Sequence, residues 1–276
     1  MYPKLFGIEF LNMYGLCIGI GVILCLAFLR FACKRLNIPN KFVDFVEYNA
    51  IISIVMGILS GMLFQSFYNY LANPEDGFHF SKDNITFLGG LIGGVTIFLT
   101  IYFLYGRKKF GAYLIRLLPI AACCILVAHG FGRIGCFCYG CCHGEVFPNA
   151  TIENHPLFTM HFPRVGWTYP TQLFEAMFLL ITFVILAYFT VYKKYKYSMN
   201  IYLIAYGVFR FVIEFARGDD RGSFIPGLSP SQFWAIIMVI MGVAFLFIMP
   251  YVVKKLNIDF DYNPENEQKI EEEQTV

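Results

Sequence analysis

Apolar runs of spanning length recur along the chain at Tyr14 to Cys33, Val46 to Tyr70, Phe87 to Leu104, Leu114 to Ala128, Gln172 to Val191, Ile201 to Phe215 and Phe233 to Val253, separated by polar connections. A hydrocarbon core about 30 Å thick needs about 20 helical residues per crossing, so the fourth and sixth runs must borrow neighbours that include arginines. The pattern predicts an all-α, polytopic integral membrane protein with seven transmembrane helices, two of them carrying charge at depth.

The connections alternate in character. Lys34, Arg35 and Lys41 follow the first run, Arg107, Lys108 and Lys109 the third, Lys193, Lys194 and Lys196 the fifth, and Lys254 and Lys255 the seventh. Positive charge stays on the cytoplasmic side, which puts these ends inside and the N-terminus outside. Asn73 to Asn84, Gly130 to Tyr169 and Gly218 to Ser231 hold few lysines and fall outside. The expected organisation is one seven-span domain over residues 1–263, with residues 131–169 as a small extracytoplasmic head segment containing short strands. Residues 264–276 are acidic and polar and are expected to form a disordered cytoplasmic tail.

Composition sharpens this picture. The chain is 58% hydrophobic and 14% charged, against about 25% charged in soluble domains, so the lipid bilayer is its solvent. A formal charge of +2 gives no reason to expect a nucleic-acid partner. Nothing before Leu11 reads as a cleavable signal, so the first run is expected to remain a span.

Candidate chemistry concentrates in His129 to Glu145, where five glycines, an arginine, two histidines and four cysteines (Cys136, Cys138, Cys141, Cys142) share one short stretch. Glycine lets backbone approach a ligand, and an arginine at the edge of hydrocarbon is costly unless it meets an anion. Tyr206, Arg210 and Glu214 stand at i, i+4 and i+8 of the sixth run, on one helix face, with Arg217 close behind. Either Arg210 and Glu214 form an ion pair that only locks helices, or Glu214 orients Arg210 towards an anion, of which phosphate is the one a membrane supplies. Tyr14 is an interfacial anchor or a site residue. Gly89 and Gly90 allow close helix packing or a broken, cavity-lining helix. Pro170 suits a first helical turn, and Gln172 and Glu175 place polar atoms just inside the membrane. Five spans thus offer polar or glycine residues at their outer ends, which predicts a cavity opening to the outer leaflet with Arg133 and Arg210 as its positive charges.

Gly132-Arg133-Ile134-Gly135 with Phe137, Gly140 and Gly144 resembles the signature of the phosphatidylglycerol:prolipoprotein diacylglyceryl transferases. The runs Tyr14-Gly15-Leu16, Gly89-Gly90-Leu91-Ile92-Gly93, Pro170-Thr171-Gln172-Leu173-Phe174-Glu175 and Tyr206-Gly207-Val208-Phe209-Arg210, with Glu214 and Arg217, are similar to that family's pattern in order and spacing. The resemblance implies a bacterial cytoplasmic (inner) membrane enzyme. It would move the diacylglyceryl group of phosphatidylglycerol to the lipobox cysteine of a prolipoprotein signal peptide, leaving a thioether and glycerol phosphate. On the same resemblance Arg133 and Arg210 hold the phosphate, Tyr14 and Tyr206 position headgroup or nucleophile, and Glu214 orients Arg210. Gly132, Gly135, Gly89, Gly90, Gln172 and Arg217 complete the expected phospholipid site, with neither cofactor nor metal required.

This chain departs from the family pattern at three points: Leu88 stands where the family has a histidine, Cys136 where it has an asparagine, and Cys141 where it has an acidic residue. The sequence resembles a divergent Gly-Cys-Phe-x-x-Gly-Cys-Cys branch. His143, Glu145 and His129 are the local substitutes for a base, with His143 taken as the catalytic candidate. The cysteines admit a disulfide from Cys136 to Cys141 or Cys142, free thiols, or a metal site with His143. The rival functions are a paralogue using the same lipid cavity for another acceptor, and a lipid or anion transporter or scaffold.

Overall fold

The computed structural model describes residues 13–72, 74–80, 87–111, 113–163, 165–217, 227–256 and 258. Its helices are α1 Met13–Arg35, α2 Asn40–Ala72, α3 Phe87–Ile101, α4 Tyr113–Tyr139, α5 Thr171–Tyr192, α6 Ser198–Ile213 and α7 Pro230–Lys255. α3 runs on through a π-helical turn, Tyr102–Gly106, into a last helical turn at Arg107–Phe110, and α6 ends in a 3-10 turn, Glu214–Ala216. Counted with those turns, all seven are long and apolar enough to cross a membrane, one for each predicted run. The protein is therefore a multi-pass membrane protein of the all-α class. The acidic tail proposed from the sequence lies outside the described residues.

The fourth helix departs from expectation. It continues past Ala128 to Tyr139, so the Gly-Arg-Ile-Gly half of the signature is helical and the head segment begins near Gly140 rather than at residue 131. Glycine in a helix costs up to about 1 kcal/mol relative to alanine, and here close packing offsets it. A Cβ on Gly130 would lie 2.8 Å from the Leu180 side chain of α5, and one on Gly135 would lie 3.0 Å from the Tyr14 ring of α1.

The chain divides into two compact units, one built on α2 and α3, the other on α1 and α4–α7. In the first, Gly89 and Gly90 lie against α2: Ser60 donates to the Gly89 carbonyl at 3.0 Å, and a Cβ on Gly90 would sit 3.2 Å from the Gly57 carbonyl oxygen. Helix packing accounts for both glycines. In the second unit Ala122, Cys123 and Leu126 of α4, Leu179 and Leu186 of α5, and Tyr202, Leu203 and Tyr206 of α6 form the core. α6 and α7 approach through small residues, and Asn200 donates to the Gly242 carbonyl at 3.2 Å. A Cβ on Gly207 would meet the Ala235 carbonyl oxygen at 2.9 Å and the Val239 side chain at 2.8 Å. Gly207→Val is therefore expected to push α7 away and destabilise the protein by about 1–3 kcal/mol, read as a lower melting midpoint in detergent.

Between α4 and α5 the expected short strands are present: β1 Val146–Phe147, β2 Met160–Phe162 and β3 Gly166–Thr168, in the antiparallel order β1-β3-β2. Backbone bonds tie this segment to the ends of two helices. The Gly144 N–H donates to the Tyr169 carbonyl at 2.8 Å just before α5, and the Glu145 N–H to the Ala216 carbonyl at 3.0 Å just after α6.

Candidate active site

The hub of the second unit is Glu175, a carboxylate 1% exposed on the first turns of α5. A charge so buried must be paired and hydrogen-bonded. Tyr206 of α6 donates its hydroxyl to Oε1 at 2.7 Å, and Arg133 of α4 approaches Oε2 through Nε at 3.0 Å. His129, one turn before Arg133 on the same face of α4, places Nε2 3.7 Å from Oε1, with its ring edge-on to Tyr206 at 5.2 Å. Because Glu175 takes the Nε side of Arg133, that ion pair leaves the terminal NH1/NH2 edge of the fork for another anion.

Arg210 follows Tyr206 by one turn of α6. Its NH1 pairs with Glu214 Oε2 at 2.7 Å, and its NH2 donates to Ser231 Oγ at 2.7 Å. Ser229 Oγ in turn donates to Glu214 Oε1 at 2.8 Å and accepts from the Gln232 N–H at 3.2 Å, closing a capping box at the start of α7 with Pro230 in the first turn. The Arg210–Glu214 pair expected from the sequence is therefore real, and it is braced by the N-terminus of a third element.

At the end of α4 the chain turns sharply: Gly140 has φ +83° and Cys142 +61°. Gln172 donates to the Cys141 carbonyl at 2.9 Å and Thr171 to the Cys142 carbonyl at 3.1 Å, which fixes the turn on α5. The turn brings the Cys136, Cys141 and Cys142 sulfurs within 4.8 Å of one another. Cys136, Cys141 and Cys142 are thiols outside any disulfide, so the cluster forms without one. Hydrogen bonds from the Cys136 and Cys141 thiols, aided by the charges of Arg133 and Arg217, hold the Cys142 thiol below its ordinary range.

The other expected residues scatter. Tyr14 lies beside Gly135, half-exposed on α1, and Gly132 faces open space. Gly89 and Gly90 belong to the other unit. His143 turns its Nδ1 to the Gly144 carbonyl at 3.0 Å and its ring towards Phe162, so its neighbours are those of the head segment and not the Glu175 cluster. Of these two histidines, His129 is the one that lies beside Glu175. Two features escaped the sequence reading: the role of Glu175 as hub, and Ser229 with Ser231, whose signal was the Ser-Pro-Ser-Gln capping pattern ahead of the last span.

Seven apolar helices, with two buried arginine–carboxylate pairs and a thiol cluster all within the unit of α1 and α4–α7, define a polytopic membrane protein with a charged site. The chain belongs to the prolipoprotein diacylglyceryl transferase family, whose model matches residues 3–248. It is 32% identical over 249 residues to the phosphatidylglycerol--prolipoprotein diacylglyceryl transferase of Clostridium tetani, covering 87% of this chain and 93% of that protein. It is 30% identical over 246 residues to transferase 2 of that name from Clostridium perfringens, at 87% and 91% coverage. It is 29% identical over 271 residues to the Xylella fastidiosa transferase, at 86% and 87% coverage.

Proposed function

We propose that this protein transfers the diacylglyceryl group of phosphatidylglycerol to the lipobox cysteine of prolipoproteins in the bacterial cytoplasmic membrane. The observation that carries this reading is the pair of buried guanidiniums, Arg133 and Arg210, each held along one side by a carboxylate. The peptide thiolate attacks the glyceryl carbon, the S–C bond forms, and the C–O bond to phosphate breaks with its electron pair leaving on glycerol phosphate. Donors fixed in advance where this charge develops lower the barrier. Glu175 holds Arg133 and Tyr206 in place, and Glu214 with Ser231 does the same for Arg210. The basic ends of the first, third, fifth and seventh spans support an N-terminus outside and a C-terminus in the cytoplasm.

The test is direct: purified protein in phosphatidylglycerol liposomes is given a lipobox peptide, which is followed for a diacylglyceryl mass increase. Absence of any increase, with turnover of lipid onto a different thiol or hydroxyl compound, would establish the paralogue instead. In the same assay His129→Ala is expected to slow transfer by about 10²-fold, because His129 packs against Glu175 and Tyr206 and a small misplacement of such a positioning cluster costs about that much. His143→Ala is expected to retain most of the wild-type rate. The reverse ranking would return the role to His143.

A further inference from the structure

The three thiols gathered behind Arg133 play no part in holding the phosphate, yet the fold takes trouble to assemble them. Cys142 keeps a left-handed backbone that a side chain rarely adopts, and Gln172 and Thr171 are spent on the carbonyls of Cys141 and Cys142. Their sulfurs lie within 4.8 Å of one another. Three thiolates around one zinc ion, with Zn–S bonds of about 2.3 Å, sit about 3.8 Å apart in a tetrahedron, so closure needs movements of about 1 Å. His143, the residue that might have supplied a fourth ligand, is outside this group and turned to the Gly144 carbonyl. Three protein ligands with a vacant fourth position is the pattern of a catalytic zinc site, whereas a structural site closes all four.

The place of the cluster says what the fourth ligand would be. Cys136 follows Arg133 by three residues on α4, and Gln172, which braces Cys141, precedes Glu175 by three residues on α5. Cys136 therefore stands about 4.5 Å along α4 from Arg133, and the Cys141 backbone is tied to α5 about the same rise from Glu175. Zinc with three thiolates carries a net charge of −1, and the Arg133 guanidinium, three residues before Cys136 on α4, is of opposite sign.

We infer that Cys136, Cys141 and Cys142 form a three-thiolate site for a soft divalent cation such as zinc, which takes the acceptor peptide's cysteine as its fourth ligand. This rests on the transferase reading above and supplies its nucleophile. A thiol bound to such an ion is deprotonated outright, and the thiolate is the reactive form. Its proton passes to water as the sulfur binds. The sulfur then forms its bond to the glyceryl carbon, the C–O bond to phosphate breaks, and glycerol phosphate departs with the electron pair.

The experiment uses the full-length protein, reduced and loaded with Co²⁺ as a spectroscopic probe or with Zn²⁺. One Co²⁺ per chain is expected, with sulfur-to-cobalt charge-transfer absorption. A lipobox peptide should raise that absorption by about one third, as three Co–S bonds become four, and the same peptide with serine for cysteine should leave it unchanged. Cys142→Ser and Cys136→Ser should each weaken Zn²⁺ binding by more than about 100-fold, beyond what loss of an outer partner costs. Cys138→Ser, outside the cluster, should bind as wild type and controls for the handling of a thiol variant. Failure of the reduced protein to bind either ion, or equal binding by Cys142→Ser, overturns the site. Bound Co²⁺ whose spectrum ignores the cysteine peptide overturns the fourth-ligand assignment. Undiminished transfer by the metal-free protein overturns the metal's role while leaving the transferase reading intact. A peptide-responsive cobalt spectrum without diacylglyceryl transfer supports the site and overturns that reading.

Discussion

Arg210→Ala is expected to lower diacylglyceryl transfer by about 10²- to 10³-fold, the loss seen when one preorganised donor to a developing anion is removed. The measurement is the liposome assay with a lipobox peptide. Arg210 sits 8% exposed between Glu214 and Ser231, so its removal also leaves Glu214 as a buried charge held, among the described residues, by Ser229. Stripping one partner from a buried ion pair costs about 3–5 kcal/mol, and a loss of fold would mimic a loss of chemistry. Arg210→Lys separates the two. Lysine keeps the positive charge near Glu214 but lacks the planar fork that reaches Glu214 and Ser231 together. The melting midpoint should recover towards wild type in Arg210→Lys, whereas transfer stays at least about tenfold down. Near-normal transfer in Arg210→Ala would remove this arginine from the chemistry.

The second large effect falls on Glu175→Gln. Glutamine keeps the size of the side chain and can still accept from Tyr206, but it cannot neutralise Arg133, 3.0 Å away in a site 2% exposed on the carboxylate side. The uncompensated guanidinium should destabilise the protein by about 3–5 kcal/mol and disturb the helix face that presents it. Transfer should fall by about 10²-fold or more, because small misplacements of a positioning group cost that much. Glu175→Gln combined with Arg133→Gln should restore much of the melting midpoint, since the pair is then replaced as a unit, and should not restore transfer. Recovery of transfer in the double variant would show that neither residue serves the reaction.

What could be read in advance follows from the range of the interactions. The seven spans were legible because hydrocarbon demands about 20 consecutive apolar residues for each crossing, whatever the helix packs against. Arg210 with Glu214 was legible because i and i+4 meet on any helix. The end of α4 was misplaced because glycines at 130, 132 and 135 read locally as backbone that approaches a ligand rather than as helix. Only the close approach of Tyr14 and Leu180 shows why a helix keeps Gly130 and Gly135. His143 was favoured as a base by its closeness in sequence to Arg133, but the turn at Gly140 and Cys142 carries it to the head segment. Glu175 was visible only as a polar residue at the start of a span, since its partners come from helices on either side of it in sequence, one of them across the head segment.

The sequence by itself determined that the chain crosses the membrane, where its spans lie, and which arginines could meet an anion. These follow from the bilayer's thickness and from the cost of burying charge, both of which act on local composition. Tertiary structure decided that Glu175 joins His129, Arg133 and Tyr206 and that three of four clustered cysteines turn their sulfurs together. Those contacts bring together residues from separate helices or across a sharp turn, and only packing the spans and fixing that turn on α5 sets which side chains meet.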